Sequence, residues 1–525
     1  MTRIPRYFCS LGFGVGVAVA GACNPGPGQD SSATPAETGD CMGGENCFCM
    51  DDSDCGPGLV CASRLCTPAS EGTTSTSSTT EGESSTGTTS EPGTTFGPTG
   101  DSTGQSETAG TECDPAQGVA NAMCDDPQKP YCEPGGTCVD CTGIASCSDI
   151  SDVAPVCDEA SGKCVVCTAE DTSACEGNTP VCGSLNTCVA CTAHSECDSG
   201  ACNFATGACF ASILYVDQGA TCAAGTGSME LPLCEIQQAV DKVQNQPLVV
   251  RVRTSQTPYK NQVQVASGKT VAIVRDGNTG TVTLAVPNLD AVVVNNGALA
   301  FLENITITGG AAIPALRCTN LAKVWLDQVT IEKRDGYAIQ GDECDVILRR
   351  SKLYENKAGG LRLSGGETRI ENSYIVQNGN SFGSISAVHV GSSAAVDIVY
   401  STIADNDAMG GVGESLHCQT PGPVSLRNSI LFGKAANTSV ICPTATAKDS
   451  VVDAMSLTGT NVQYETMLVP SWFNNPAMGD FSIKPGMPFQ DVATWRVGDP
   501  SVDYDGDTRI TADGTMDYSG ADRPN

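Results

Sequence analysis

Five polar residues recur at one position of successive apolar segments: Arg317, Gln340, Arg362, His389 and His417. They are flanked by Leu316, Ile339, Leu361, Val390 and Leu416. Neighbouring residues of a strand point to opposite faces, so the five are expected together on the solvent side of one sheet. Guanidinium forks, an amide and imidazoles suit an anionic or hydroxyl-rich ligand. Two of the chain's three histidines stand in this stripe. The plainer reading is a solvated face that only keeps the sheet wet; residue types alone leave both open.

A second group lies near the C-terminus. Asp503, Asp505 and Asp507 alternate around Gly506, and hard carboxylate oxygens at this spacing form a calcium loop candidate, the one cofactor entertained. The order differs from an EF-hand, where Gly follows the third ligand and a Glu closes the loop, so a structural cap competes with the metal reading. No catalytic residue is assigned. Acid/base glycosidic cleavage needs two facing carboxylates, whereas the polar columns here mix signs, and three histidines offer little to a nucleophilic triad.

The elements that carry these residues follow from two aliphatic columns: Leu302, Leu326, Leu348, Ile370, Ile398, Leu426, and Ile307, Ile331, Leu353, Ile375, Ile403, Leu431. Both step by 24, 22, 22, 28 and 28 residues. Repeats of that length, strand-like inside and without helical spacing, predict a parallel β-solenoid whose stacked coils share one core. Asn356, Asn378 and Asn406 hold one place in three coils, which predicts an asparagine ladder at a left-handed turn. Glu303, Asp327, Arg349, Glu371 and Arg427 form an outward mixed-charge column interrupted by Val399, expected to pair across rungs.

Thirty cysteines in a chain of net charge −32 point to an oxidising compartment, and the charge argues against nucleic acid. The order reads as a leader (1–22), a tether (23–40), a six-cysteine module (41–66), a disordered Ser/Thr/Gly-rich linker (67–112) and four cysteine quartets (113–209). The solenoid (210–464) and a closing segment (465–525) follow. The quartets place Cys-x-x-Cys at their junctions, a zinc-like spacing, but export and an even sixteen thiols favour disulfides. With two basic residues against fourteen acidic ones, this block reads as a stiff, acidic, water-facing spacer or an interaction module. Ala20-Gly21-Ala22-Cys23 is read either as an Ala-x-Ala cleavage site or as a lipobox with Ala20 in place of Leu. Cys9 leaves with the leader, and withdrawing Cys23 as a lipid anchor restores an even number, which favours an exported outer-membrane or cell-surface lipoprotein over a freely secreted chain. Within the solenoid, spacing pairs Cys222 with Cys234, Cys318 with Cys344 and Cys418 with Cys442. The last two pairs lie about one coil apart and are expected to staple adjacent rungs.

The opening Ile213-Leu-Tyr-Val-Asp217, Gly225-Thr-Gly-Ser228, Pro232 and Cys234-Glu-Ile-Gln-Gln-Ala-Val240 resembles the start of right-handed parallel β-helix proteins of the pectin-lyase-like superfamily. The resemblance implies an all-β fold in which a helix with Ile236, Ala239, Val240 and Val243 plugs the first coil. The endings Asp503-x-Asp-Gly-x-x-Arg509 and Asp517-x-x-Gly-Ala-Asp522 are similar to those of bacterial surface β-helix proteins. The whole resembles a bacterial surface lipoprotein with myxobacterial-type Cys-rich repeats. It implies a tethered protein that binds, adheres or displays, with polysaccharide as the ligand class, or alternatively a polysaccharide lyase or glycoside hydrolase. The polygalacturonase-like sets Asn-Thr-Asp, Asp-Asp, Gly-His-Gly and Arg-Ile-Lys are absent from the solenoid. The expected partners are a polysaccharide or another surface ligand, with membrane contact through a lipid anchor only and no nucleic acid; the oligomeric state is not assigned.

Overall fold

The computed structural model describes residues 59–62, 65–68 and 113–524, apart from 115, 117–123, 125, 127, 145, 220–224, 245, 380–385 and 409–413. The leader, the tether with Cys23, most of the six-cysteine module and almost all of the linker lie outside the described residues, as does Cys222. Two compact units are present, Met1–Pro92 and Gly93–Asn525. In the first, Leu59–Ala62 pairs antiparallel with Leu65–Pro68, Cys61 opposite Cys66. That hairpin runs two residues into the stretch assigned above to the linker.

The second unit opens with the four quartets. Each closes in the same order, first cysteine to third and second to fourth: Cys113–Cys132 and Cys124–Cys138 in the first, Cys191–Cys202 and Cys197–Cys209 in the last. Cys141–Cys157, Cys147–Cys164, Cys167–Cys182 and Cys175–Cys188 fill the middle two. Crossing bridges bring sets of three sulfurs within 4.8 Å, but every one of these cysteines is disulfide-bonded, which removes the zinc reading. Each quartet carries a two-stranded hairpin, such as Val156–Asp158 with Lys163–Val165.

The last quartet is docked on the solenoid rather than held in water. Its Ala201, Phe204 and Phe210 pack on Val249, Ala272, Val274 and Phe301 of the first coils, with Phe301 stacked on Trp325 at 4.6 Å. Arg251 donates to Ser199 O at 2.8 and 3.1 Å. Gly200, at φ 71°, is what admits the guanidinium, since a Cβ there would collide with it. The sequence pattern had no means of showing that this module has an apolar underside.

Residues 212–464 build a parallel β-solenoid. One sheet of eight strands runs from Val263–Ala266 to Val440–Ile441, one strand per coil. The larger sheet takes two strands per coil, divided by one residue in the left-handed region: Asn304, Gln328, Arg350, Asn372, Tyr400 and Asn428, with φ between 42° and 55°. The two aliphatic columns stand in register, Leu302 to Leu326 to Leu348 and Ile331 to Leu353 to Ile375. Val292, Leu316, Ile339, Leu361, Val388 and Leu416 supply a third wall. All are fully buried, each contributing about 1.5–3 kcal/mol on the usual transfer scale. The helix Ile236–Asp241 covers the first coil with Ile236, Ala239 and Val240.

Corners are held by side-chain ladders. Asn378 Oδ1 accepts from Asn356 N and Nδ2, and Asn406 Oδ1 accepts from Asn378 N and Nδ2. The asparagines themselves are not left-handed. That backbone belongs to the residue before each, Glu355, Gln377 and Asp405, which frees the amide for stacking. A second ladder escaped the sequence reading: Ser351, Ser373, Ser401, Ser429 and Ser450 each accept, at 3.0–3.3 Å, the backbone N–H that the left-handed turn leaves unpaired one rung below.

The closing segment does not sit on the end of the stack. Phe473, Phe481, Ile483, Phe489 and Ala521 lie along its side, against Tyr354, Tyr374, Val376, Ala404, Ile430 and Phe432. These outward positions are apolar, so the strap belongs over them rather than over the terminal rung. Asn372 Nδ2 donates to Val502 O, and Gly520 N to Asn428 O. The mixed-charge column is correspondingly covered: Asp327 pairs with Arg350 at 2.6 Å, Glu371 with Arg369 at 2.9 Å, and Arg427 with Asp499 of the strap.

Candidate functional site

The eight-stranded sheet puts the polar stripe in strict register. Arg317 neighbours Gln340, Gln340 neighbours Arg362, Arg362 neighbours His389, and His389 neighbours His417. Five rungs at about 4.8 Å make a strip of about 19 Å. Val293 precedes it and Ile441 follows it in the same column.

Its electrostatics differ from the solvent-facing cationic stripe expected above. Arg317 is occupied by Asp290, with Nε to Oδ2 at 3.1 Å and Nη2 to Oδ1 at 3.4 Å. Gln340 donates to Asp342 at 2.8 Å. Arg362 lies over the Tyr337 ring at 6.0 Å and forms no ion pair among the described residues. His389 is only 8% exposed. Burial, then His417, then Arg362 push its imidazole down to about 4, and burial lowers His417 too. The two rings stack at 5.4 Å and 10°, and both Nδ1 atoms are buried without a partner. Near neutral pH the strip therefore offers one exposed guanidinium, two neutral imidazoles and an engaged amide. Mixed hydroxyl donors and acceptors match it better than a dense polyanion does.

Asp503, Asp505 and Asp507 do not gather their ligand atoms around one point: among the described residues, sets of three candidate ligands within 4.8 Å are all cysteines. Asp503 is fully buried and closes its own loop, accepting from Gly506 N, Asp507 N and Arg523 N at 2.8–3.1 Å. Asp505 and Asp507 are exposed. Cys418 is joined to Cys442 across adjacent rungs, Cα atoms 4.6 Å apart. Cys318 is joined to Cys344, but in register it faces Gly341, and Cys344 stands past the end of the strand Tyr337–Asp342. Cys234 is disulfide-bonded.

Asp522, which the sequence places only in a closing motif, is a neighbour of the loop. It lies beside Asp503, because Tyr504 N donates to Ala521 O and Arg523 N to Asp503 Oδ2. Asp-Gly-Asp reads as a local loop, and only the fold shows that its companion arrives from the segment after the strand Met516–Asp517.

Residues 99–213 match a family of unknown function, DUF8331. No curated protein matches the chain. Among solved structures, a pectate lyase Pel9A is similar with TM-score 0.37 and 13% identity, over 60% of this chain and 97% of that one. A rhamnogalacturonan lyase is similar with TM-score 0.32 and 10% identity, over 58% of this chain and 96% of the other. Scores of this size carry no argument about activity. The all-β parallel solenoid stands on the strand register itself, and the ten disulfides between described cysteines mark an exported chain.

Proposed function

We propose that the chain is a cell-surface-tethered β-helix protein that binds a hydroxyl-rich polysaccharide along the strip from Arg317 to His417. The observation that carries this reading is the register: five polar side chains on five consecutive rungs, repeating at a fixed step, match an extended polymer better than a compact ligand. Arg362 supplies a cation for an occasional acidic sugar, and the neutral imidazoles and Gln340 supply hydrogen bonds to hydroxyls. The carboxylates beside the strip, Asp290 and Asp342, are engaged by Arg317 and Gln340, so these two are not a free pair for acid/base cleavage. A lipid on Cys23 would hold the protein at the membrane.

The test is a glycan array with the full chain, run beside a reducing-end assay on every glycan retained. Arg362→Ala combined with Gln340→Ala should abolish retention while the thermal midpoint stays put. Retention should weaken only modestly with salt, since screening over about 8–10 Å acts on little more than one free charge. Undiminished binding by the double variant returns the strip to a solvated face. Release of new sugar ends replaces binding by the lyase or hydrolase alternative. For the anchor, Cys23→Ser should move the protein from the membrane fraction to the soluble one, and unchanged fractionation removes the tether from the proposal.

A further inference from the structure

The fourth quartet meets the solenoid around one histidine. His194 opens the short turn His194–Glu196 and is only 5% exposed. Its Nδ1 accepts the backbone N–H of Cys202, a fully buried residue, at 2.9 Å, so the ring is neutral and carries its proton on Nε2. The ring lies 4.7 Å from Phe204 of its own module and edge-on to Phe301 of the solenoid at 6.5 Å. The charged groups acting on it from the solenoid are Asp327, Arg349 and Arg350. Asp327 is already held by Arg350 through bonds of 2.6 and 2.8 Å. Arg349 lies over the Phe204 ring at 5.5 Å and pairs with Glu371 at 3.8 Å. One rung from Asp327, Glu303 is pushed up to about 7 by burial and then by Asp327, so it is protonated over most of the range in which an imidazole titrates. Arg251, which holds Ser199 O, pairs with Asp276 at 3.6 Å. On the module's side Glu196 and Asp198 are exposed, and Glu196 accepts from the N–H groups of Thr192 and Ala193. Among the described residues, then, the buried carboxylate nearest this ring is committed to an arginine and cannot balance an imidazolium.

We propose that His194 is an acid-released latch: protonation of its ring frees the fourth quartet from the side of the solenoid, with the chain around the exposed Ala211 as the joint. Protonation has two local consequences. It removes the acceptor of the Cys202 N–H, which orphans a donor in a buried place. It also sets a positive charge against two aromatic rings and beside two arginines, out of reach of water. Undocking relieves both, because the ring can then turn to solvent. The parts on either side stay whole: Cys191–Cys202 and Cys197–Cys209 close the module by themselves, and the solenoid keeps the core that its coils share. What separates is the contact of Ala201, Phe204 and Phe210 with Val249, Ala272, Val274 and Phe301, together with the bonds from Arg251 to Ser199 O. Burial first, opposed by Asp327 and reinforced by Arg349 and Arg350, holds the docked ring down to about 4 against its ordinary 6.5. Docking therefore keeps its full strength above about 6.5 and weakens as pH falls toward 4, by about tenfold per pH unit and about 300-fold in all.

The experiment follows amide hydrogen exchange in the full, disulfide-intact chain between pH 7 and 4, with rates corrected for the pH dependence of unprotected amides. The opening constant at the Cys202 N–H should rise by up to about 300-fold. His194→Gln keeps an amide oxygen that can accept this N–H but does not titrate, and its opening constant should stay within about threefold over the same range. Radical footprinting reads the other side of the contact in Arg251→Ala, whose looser dock brings the open form into view. There Phe301 should be oxidised more at pH 4 than at pH 7, while Phe473 under the strap stays protected; both are fully buried in the docked protein. Adding His194→Gln to Arg251→Ala should remove that pH dependence. An opening constant at Cys202 that ignores pH overturns the latch. So does acid opening at Cys202 with Phe301 still protected, which would confine the event to the module. Parallel oxidation of Phe301 and Phe473 would mean that the solenoid itself unfolds, and that result equally removes the latch.

Discussion

Replacing Asn378 by Ala tests whether the corner ladder holds the stack together. The Asn378 side chain takes part in five hydrogen bonds of 2.9–3.1 Å: Nδ2 donates to Leu353 O, Val376 O and Asn406 Oδ1, and Oδ1 accepts from Asn356 N and Nδ2. Alanine leaves the Asn356 backbone N–H orphaned in a fully buried corner, at about 1–3 kcal/mol, and forfeits net bonds worth about 1 kcal/mol each. The expected loss is about 3–5 kcal/mol. Ser364→Ala in the same coil, where no side-chain bond is at stake, should stay within about 0.5 kcal/mol. Urea unfolding followed by circular dichroism gives both numbers. Because a solenoid rung leans only on its neighbours, amide exchange should accelerate around residues 356 and 406 before distant rungs respond. A loss under about 1 kcal/mol at unchanged denaturant sensitivity would refute the reasoning. Asn378→Asp adds a sign: it aims a carboxyl at three oxygens, so its folded pKa rises above the ordinary value of about 3.9. That variant should be steadiest at low pH and lose stability as pH rises.

Three further outcomes are expected. His389 and His194 are both held down to about 4, chiefly by burial, below the unfolded value of about 6.5. Their contribution is present above about 6.5 and lost as pH falls toward 4, so midpoints should drop over that window, by up to about 3 kcal/mol per residue. His389→Gln should flatten part of this acid limb; an unchanged limb would place the cause elsewhere. Cys418→Ala with Cys442→Ala opens a loop of 24 residues and should cost about 3 kcal/mol, read by thermal unfolding without reductant. Phe301→Ala removes the ring under the last quartet, and proteolysis at residues 199–210 should accelerate by more than tenfold, corresponding to roughly 1.4 kcal/mol or more. Equal nicking of both proteins would mean that the module docks without it.

Much of the solenoid was legible because an inward position in a thin-walled coil tolerates little besides an aliphatic side chain; Leu348 and Ile375 have no alternative role. The stripe's alignment was legible for the same reason, being fixed by its apolar neighbours. What covers each face was not. His389 was expected on the solvent face and is buried, and nothing in the sequence marked Phe204 and Phe210 as the dock of the last quartet. Those facts depend on chain arriving from elsewhere. Serines at the corners were invisible on different grounds: Ser373 between Asn372 and Tyr374 has the composition of any turn, its hydroxyl accepts from the Ser351 amide 22 residues back, and its own amide donates to the Ser401 hydroxyl 28 residues on. The closing motifs were half legible: Asp503 and Asp522 both stand in them, but only the strap's backbone pairing brings the two side by side.

The strap sets a schedule for the molecule's assembly. Coils can add one upon another as the chain emerges, each new rung meeting only the one before it. The contacts from Asn372 to Val502 and Arg509 span 130 and 137 residues, and they form only once everything between has been delivered. Until then Tyr374, Ile430 and Phe432 face water as a lengthening greasy flank. A chain exported from its N-terminus thus passes through a stage that is fully coiled yet adhesive on one side. The gap between making the last rung and laying the strap over its flank is the interval in which two nascent molecules are most prone to stick to each other.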